Sequence, residues 1–387
     1  MNASLILWGL HLALLPLYVF KSGGMQPSHL IFLAALGALA LEGRVQTVAL
    51  TDPNSSRYSL MRNTGHLFGM LFGVFVLYGW VVNSVWTVLL SSIKPMMFSV
   101  FQIYNLMLVY FVVSVAPGNW ERFCQATRTG FAVALLLTVL VILFRGQADA
   151  AREEGLFNNP NQLAFFSLSA CVVFFVMERL SVGSAMWNRI AIAAAAFACL
   201  ASLSRAGLVG CGLVLLASLF SGRGGSSRMF MGLAIAGTMV LVIGSMQVID
   251  RLETRNERLR VQQISTVEGR GYDRLVNHPE YAVLGAGEGE VRRFDGLLSS
   301  IGAEMHSTFG TVLFSYGVIG LLLYGSAWLL VVFAGPGLAF KVCAMTPLLY
   351  GVTHNGLRFS AAMVAMLMLL LGGLAMRQSH RSGYLQG

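Results

Sequence analysis

The chain has 387 residues, of which 56% are hydrophobic and 11% are charged, and its mean hydropathy is +0.70. Soluble domains have about 25% charged residues, so this composition excludes an ordinary soluble protein. The formal net charge is +9, but the basic residues are scattered through loops between apolar segments, which favours contact with anionic membrane lipids over a nucleic-acid partner.

Apolar segments long enough to cross a bilayer recur along the whole chain. A hydrocarbon core of about 30 Å requires about 20 apolar residues in a helix. We therefore predict an all-α, polytopic membrane helix bundle of about twelve spans. They lie near residues 3–20, 28–42, 64–91, 95–116, 129–145, 160–178, 188–203, 206–221, 228–249, 306–334, 337–353 and 358–376.

This assignment divides the chain into three parts. Residues 1–249 hold spans 1 to 9, residues 250–305 form a large loop with short helices, and residues 306–387 hold spans 10 to 12 and a tail. The first span has no basic residue before it and no small-residue cleavage site after it, so we expect it to be uncleaved. The five cysteines show neither metal-ligand spacing nor an obvious disulfide framework, and we interpret them as packing residues.

The orientation of the spans is predicted from Lys and Arg in the short loops, because positive charge resists translocation. Twelve such residues lie on one set of loops: Arg44, Arg57, Arg62, Arg122, Arg128, Arg179, Arg189, Arg223, Arg228, Lys341, Arg377 and Arg381. Six lie on the other set: Lys21, Lys94, Arg145, Arg152, Arg205 and Arg358. We therefore predict cytoplasmic termini and a periplasmic loop at 250–305, whose length makes its own eight arginines uninformative.

With this orientation the even-numbered spans begin at the outer face, where their free N–H groups and positive dipole ends favour anions. The stretch GLFNNPNQLAFF (residues 155–166) leads into the sixth span, with Asn159 as its N-cap and Pro160 at the first helical position. Helix-start preferences explain much of this pattern. Asn158 and Asn161 crowd the same turn, however, and the three asparagines could bind sugar hydroxyls or a phosphate.

Arg205 lies between two apolar spans in the sequence LSRAG (residues 203–207). An arginine at such a place is costly and is kept mostly where it has a partner or a task. It could snorkel to the outer headgroups. Alternatively, its guanidinium group could bind a phosphate, whose oxygen atoms it matches in a bidentate manner.

The predicted periplasmic loop holds further candidates. It opens with a stretch, residues 250–264, whose arginines recur on one face of a surface helix. Such a stripe is more often solvated than functional. Arg270 and Arg274 follow, one turn apart if helical, and Gly285 and Gly287 permit close backbone approach to a ligand, although a lone G-x-G is weak evidence.

His306 stands at the start of the tenth span, in the sequence HSTFGTVLFSYGVIGLLLY. The dipole of a helix N-terminus disfavours an imidazolium, so we expect a neutral imidazole that can accept a proton near pH 7. This is the property of a general base. A lone histidine at such a place is more often a hydrogen-bonded interface residue, and His278, His354 and Glu304 are competing candidates on the same face.

From residue 155 to residue 374 the chain resembles the O-antigen ligase and polymerase superfamily of bacterial inner-membrane glycosyltransferases. Residues 155–164 are similar to its G-x-F-x-N-P-N-x-x-A motif, Ser204-Arg205 to its Ser-Arg pair, and Gly269-Arg270 to the Gly-Arg that opens its outer-loop helix. Ligases of this superfamily have a His, then Asn, Ser or Gln, nine free residues, Gly, two more residues, and Gly, Thr or Tyr. This pattern is filled by His306, Ser307, Gly317 and Gly320.

The resemblance implies a twelve-span fold that transfers a glycan from an undecaprenyl-pyrophosphate carrier to an acceptor at the periplasmic face of the inner membrane. It implies no metal and no other cofactor. Arg205 and Arg270 would bind the pyrophosphate, and His306 would assist proton removal from the acceptor hydroxyl in a displacement that inverts the anomeric carbon. Arg274, the three asparagines, Gly285 and Gly287 are the further substrate-binding candidates.

Two questions stay open at this point. The acceptor is lipid A-core in a ligase and a growing glycan in a polymerase, and Arg274 with Gly285 fits the polymerase spacing of Arg, ten residues and Gly. The alternative from another class is a transporter or flippase of a lipid-linked or anionic solute. Transporters tend to place charge and broken helices near the bilayer midplane in paired repeats, whereas the notable polar residues of this chain cluster at one predicted face.

Overall fold

The computed structural model describes residues 2–20, 24–42, 55–144, 153–221, 268–300 and 302–384. Within these ranges the regular secondary structure is helical throughout. The predicted ninth span at 228–249 and the arginine-rich stretch at 250–264 lie outside the described residues.

The described α-helices are numbered here in chain order. They are α1 Ala3–Ala13, α2 Pro27–Leu41, α3 Ser55–Leu90, α4 Lys94–Val115, α5 Trp120–Phe144, α6 Pro160–Arg179, α7 Ala185–Ala201, α8 Arg205–Ser221, α9 Asp273–Asn277, α10 Leu297–Ser300, α11 Thr308–Val332, α12 Gly337–Thr353 and α13 Ser360–Tyr384. Short 3₁₀ turns at Glu268–Arg270, Pro279–Tyr281 and Val291–Arg293 complete the loop before α11.

Six of these helices are long and apolar enough to cross a membrane. The six membrane-length segments lie within α3, α4, α5, α6, α11 and α13. Five shorter apolar helices, α1, α2, α7, α8 and α12, pack among them. The predicted all-α bundle with several membrane-spanning helices is therefore confirmed, and the total of twelve spans stays a prediction.

The helix ends follow local chemistry. The predicted first span to residue 20 is wrong at its end, because α1 stops at Ala13, shortly before Pro16. Proline has no N–H to donate and its ring clashes with the carbonyl four residues earlier. The helix after His306 begins at Thr308 because the Ser307 hydroxyl accepts a hydrogen bond from the backbone N–H of Gly310 at 2.9 Å, as an N-cap does.

The centre of the bundle is formed by α6 and α13. Every residue from Leu163 to Met177 in α6 is buried, and so are Ala361 to Leu374 in α13. A helix that is apolar on all sides is stable in this position, because it buries its whole circumference against other helices. Around this pair, α7, α8 and α12 pack on α6, while α3, α4 and α11 lie on the side of α13.

One end of the bundle gathers the loop 268–306 and the first residues of several helices. The N–H of Thr308, at the start of α11, donates to the carbonyl oxygen of His354, just after α12, at 3.2 Å. The Tyr350 hydroxyl donates to the carbonyl oxygen of Asn161 in the first turn of α6 at 2.8 Å. We call this end, which also holds the starts of α4, α8 and α13, the loop end.

Candidate functional site

The loop reaches the bundle through a kink in α11. At Gly317 the backbone leaves the helical conformation, with φ of 64° and ψ of −170°. The N–H groups of Ala286 and Gly287 donate to the carbonyl oxygens of Phe314 and Ser315 at 2.8 and 2.9 Å, and the N–H of Val318 donates back to the loop. The loop is therefore hydrogen-bonded to helix backbone that the kink has exposed.

The glycines of this contact leave no room for a side chain. A Cβ at Gly317 would lie 2.0 Å from the carbonyl oxygen of Val283, and one at Gly285 would lie 2.3 Å from that of Ser315. A Cβ at Gly287 would lie 2.6 Å from the indole ring of Trp86. The close approach made by Gly285 and Gly287 is to the protein itself, and a part for them in substrate binding stays a prediction.

A cavity of about 410 Å³ opens beside the loop. Its walls come from the starts of α2, α6 and α13, the end of α12 and the residues just before α11. Its polar lining consists of Gln26, Ser28, His29, Asn159, Asn161, Gln162, Glu304, His306, His354, Asn355, Arg358 and Ser360. Amides, imidazoles and aromatic rings such as those of Tyr18 and Tyr350 are groups that suit sugar hydroxyls and sugar faces.

His306 lies in this cavity wall, two residues before α11. Its backbone N–H donates to the carbonyl oxygen of Arg270 at 3.1 Å, so the two predicted catalytic residues are adjacent. Burial lowers the pKa of His306, the positive charge of Arg270 lowers it further, and the carboxylate of Glu304 opposes this. A lowered pKa agrees with the expected neutral imidazole, and burial rather than the helix dipole is its leading cause.

Arg270 is held against the end of α12. Its guanidinium group donates to the carbonyl oxygen of Thr353, the residue before His354 in the cavity wall. The Tyr272 hydroxyl donates to the Ser307 hydroxyl at 2.7 Å, which ties the same part of the loop to the start of α11. The positions of Arg270 and His306 are thus fixed by the same joint between the loop, α11 and α12.

Arg274 points into the loop. Its side chain is buried, with Nε donating to the Ser299 hydroxyl at 2.9 Å and Nη2 to the carbonyl oxygen of Ala303 at 2.7 Å. Burial lowers its pKa. These contacts brace the residues leading to His306, and Arg274 is not in the cavity lining. It also does not share a helix with Arg270, since a 3₁₀ turn precedes α9.

The remaining predicted residues all lie at the loop end. Asn159 caps α6 as expected, its side-chain oxygen accepting from the N–H of Gln162 at 2.9 Å. Asn161 lines the cavity beside it, whereas Asn158 donates to the carbonyl oxygen of Phe20 at 2.9 Å. Arg205 is exposed at the start of α8, outside the lining of the cavity.

Of the three competing candidates named from the sequence, two line the cavity and one does not. Glu304 and His354 share the cavity with His306. His278 lies elsewhere, with Nδ1 3.2 Å from a carboxylate oxygen of Glu280 and its ring against Phe294.

The site also contains Arg358, which the sequence analysis named only as one of six basic residues in the loops of one face. Its guanidinium group lines the cavity and pairs with the carboxylates of Glu304 and Glu288. A signal was present, because Arg358 follows His354 and Asn355 in a short polar segment directly before an apolar helix.

Behind this arginine a buried polar network joins the loop to α3, α4 and α11. A carboxylate oxygen of Glu288 accepts from Gln102 at 2.7 Å and from the Tyr316 hydroxyl, while the Glu288 N–H donates to the Asn83 side chain at 2.9 Å. Burial raises the pKa of Glu288. These hydrogen bonds link the loop to three helices, which fixes the loop relative to the bundle.

The described residues include no group of three or more His, Cys, Asp or Glu side chains that could hold a metal ion. What the site offers is an imidazole of lowered pKa in the wall of a polar cavity between helix starts, with Arg270 beside it but outside the cavity lining. Neither a family model nor any curated protein matches the chain.

Proposed function

We propose that the protein is a membrane glycosyltransferase that moves a glycan from an undecaprenyl-pyrophosphate donor to an acceptor hydroxyl. The observation that carries this proposal is that His306 lines a cavity of about 410 Å³ while its backbone N–H donates to the carbonyl oxygen of Arg270. The pattern of residues that resembles O-antigen ligases begins at this histidine. The polar cluster at one end of the bundle favours this function over transport, which would place charge near the bilayer midplane.

The chemistry follows from the groups present. The neutral imidazole of His306 takes the proton of the acceptor hydroxyl as its oxygen bonds to the anomeric carbon of the donor. The bond from that carbon to the phosphate oxygen breaks from the opposite face, so the configuration inverts and the carrier pyrophosphate leaves with the bonding electrons. Its growing negative charge is stabilised by guanidinium groups. Arg270, whose backbone lies next to that of His306, is the first candidate, and Arg205 at the start of α8 is the second.

The location follows from the same proposal. The loop end would face the periplasm of a bacterial inner membrane, with both termini in the cytoplasm. A lipid-borne pyrophosphate at the outer leaflet would then meet the positive ends of α6 and α13. The acceptor is lipid A-core if the protein is a ligase and a growing glycan if it is a polymerase.

The test is a reconstitution. Purified protein is incubated with undecaprenyl-pyrophosphate-linked glycan, with and without lipid A-core, and the products are separated. Glycan attached to lipid A-core identifies a ligase, and longer lipid-linked chains identify a polymerase. Movement of the donor across proteoliposome membranes without any new glycosidic bond would show instead that the protein is a transporter.

A further inference from the structure

Arg358 is held between two carboxylates and an aromatic ring. Its Nη2 atom is paired with Glu304 and lies 3.4 Å from a carboxylate oxygen of Glu288. The guanidinium carbon lies 4.2 Å from the centre of the Phe98 ring. Stacking on a ring fixes the plane of a guanidinium group while leaving its edge free to bind an anion.

The two carboxylates differ in their freedom to move. Glu288 is almost completely buried, and its other oxygen is held by Gln102 and Tyr316. Glu304 has a side chain that is 35% exposed, and it lines the cavity. Glu288 is therefore a fixed support for Arg358, whereas Glu304 can turn away into the cavity.

The surroundings of Arg358 add positive potential beyond that of the guanidinium group itself. Helix α13 begins two residues later, and Ser360 and Ala361 in its first turn line the cavity. The positive end of this helix adds to the field of Arg358, and the start of α6 at Asn161 lies on the same cavity. An anion at Arg358 would also be in the cavity that His306 faces.

We propose that Arg358 is a diphosphate-binding residue and that Glu304 is its internal competitor, occupying the guanidinium group until the diphosphate of a lipid-linked donor displaces it. This inference rests on the proposed function for the identity of the donor. The recognition itself is that of a diphosphate monoester or diester by a guanidinium group that Phe98 and Glu288 hold in place.

If Glu304 competes with the diphosphate, replacing Arg358 and replacing Glu304 should change the affinity for a diphosphate in opposite directions. Binding of farnesyl pyrophosphate to the purified full-length protein is measured by titration calorimetry, so the result does not depend on glycan transfer. Arg358→Ala removes the guanidinium group and weakens binding about tenfold or more. Glu304→Gln removes the competing charge and tightens binding several-fold. Arg358→Lys keeps the positive charge but not the planar guanidinium group, so its affinity lies between those of wild type and Arg358→Ala.

A matched ion pair at the opposite end of the bundle is the control. Arg189 pairs with Glu178 at 2.7 Å, and its side chain is 17% exposed, close to the 21% of Arg358. Arg189→Ala and Glu178→Gln leave the affinity for farnesyl pyrophosphate unchanged, which separates a local effect from general loss of folding.

The proposal is overturned if Glu304→Gln binds farnesyl pyrophosphate as weakly as Arg358→Ala does, because both would then disturb a purely structural pair. It is also overturned if wild-type protein does not bind farnesyl pyrophosphate at all. If the binding pattern holds but reconstituted protein transfers no glycan, the diphosphate site stands and the glycosyltransferase proposal fails.

Discussion

His306 combines partial burial with access to the cavity. Its imidazole is kept neutral by burial and by the charge of Arg270, and a neutral imidazole can accept a proton where an imidazolium cannot. Glu304, two residues earlier, acts in the other direction and limits the loss of basicity. Burial therefore has the largest effect on the pKa of the candidate base, and the charges of Arg270 and Glu304 adjust it in opposite directions.

Replacing either member of the adjacent pair should abolish transfer. His306→Ala removes the proton acceptor, a loss of about 10²- to 10⁴-fold, and Arg270→Ala removes charge stabilisation worth about 2.7 to 4 kcal/mol. Both variants should accumulate in the membrane at wild-type levels. The readout is product formation in the reconstituted assay, with Arg189→Ala as the control. Either role is wrong if its variant keeps most of its activity.

The pKa of His306 should respond to Arg270. Because the guanidinium charge lowers this pKa, removing it in Arg270→Gln should raise the pKa towards the ordinary value of 6.5. The neutral form would then be lost at a higher pH as the solution is acidified. NMR titration of ring-labelled histidine, with His306→Ala identifying the resonance, measures the change. An unchanged or lowered pKa would contradict the electrostatic coupling.

At the scale of the elements, the site depends on the joint between the loop and α11. The kink at Gly317 exposes helix backbone, and the N–H groups of Ala286 and Gly287 donate hydrogen bonds to it. Tyr316, the residue directly before Gly317, extends into the buried network with Glu288. One break in a helix thus positions both the loop and the carboxylate that supports Arg358.

Gly317→Ala should therefore destabilise the protein strongly. Its φ is positive and its Cβ would overlap the carbonyl oxygen of Val283, so we expect a loss of about 1–3 kcal/mol or more. Thermal unfolding in detergent measures it. Gly325→Ala, in the same helix with no atom near its Cβ, is the control and should be neutral or stabilising by up to about 1 kcal/mol. Equal effects of the two substitutions would argue against a structural role for the kink.

The buried network should also contribute to stability. Tyr316→Phe leaves the Glu288 carboxylate with one donor fewer in a buried position, and the expected cost is about 1–3 kcal/mol. Tyr110→Phe, on an exposed face of α4, should change the unfolding temperature little. A wild-type unfolding temperature for Tyr316→Phe would show that the network does not hold the loop.

At the scale of the whole molecule, the loop end gathers the loop and the starts of α4, α6, α8, α11 and α13. Successive spans run in opposite directions, so alternate spans are expected to begin at the same end. The excess of Lys and Arg in the loops of the opposite end predicts that the loop end is periplasmic. The proposed reaction needs this orientation, because the acceptor and the lipid-borne donor would meet outside the cytoplasm.

Cysteine labelling tests this orientation. The five native cysteines are buried, so they should give little background with a membrane-impermeant maleimide. Val276→Cys, in an exposed part of the loop, should be labelled in intact spheroplasts. Trp187→Cys, exposed at the start of α7 on the opposite end, should be labelled only after permeabilisation. The reverse pattern would place the site in the cytoplasm and exclude a periplasmic reaction.

The sequence by itself determined the helical membrane character, most helix positions and the local helix starts. Apolar runs and capping residues act over a few neighbouring positions, which is why the start of α6 at Pro160 and the loop histidine His306 at the threshold of an apolar helix were correctly predicted. The end of α1 was missed, although Pro16 is visible in the sequence, because the apolar run continues beyond it.

The tertiary structure alone decided which polar residues meet. Arg358 joins Glu304 across 54 positions of sequence, and Glu288 joins Gln102 across 186. Such pairs depend on how α3, α4, α11 and α13 pack, and no local pattern of hydropathy encodes that packing. For the same reason Arg274 and the glycines at 285 and 287, which looked like ligand-binding residues in the sequence, turned out to make their described contacts within the protein.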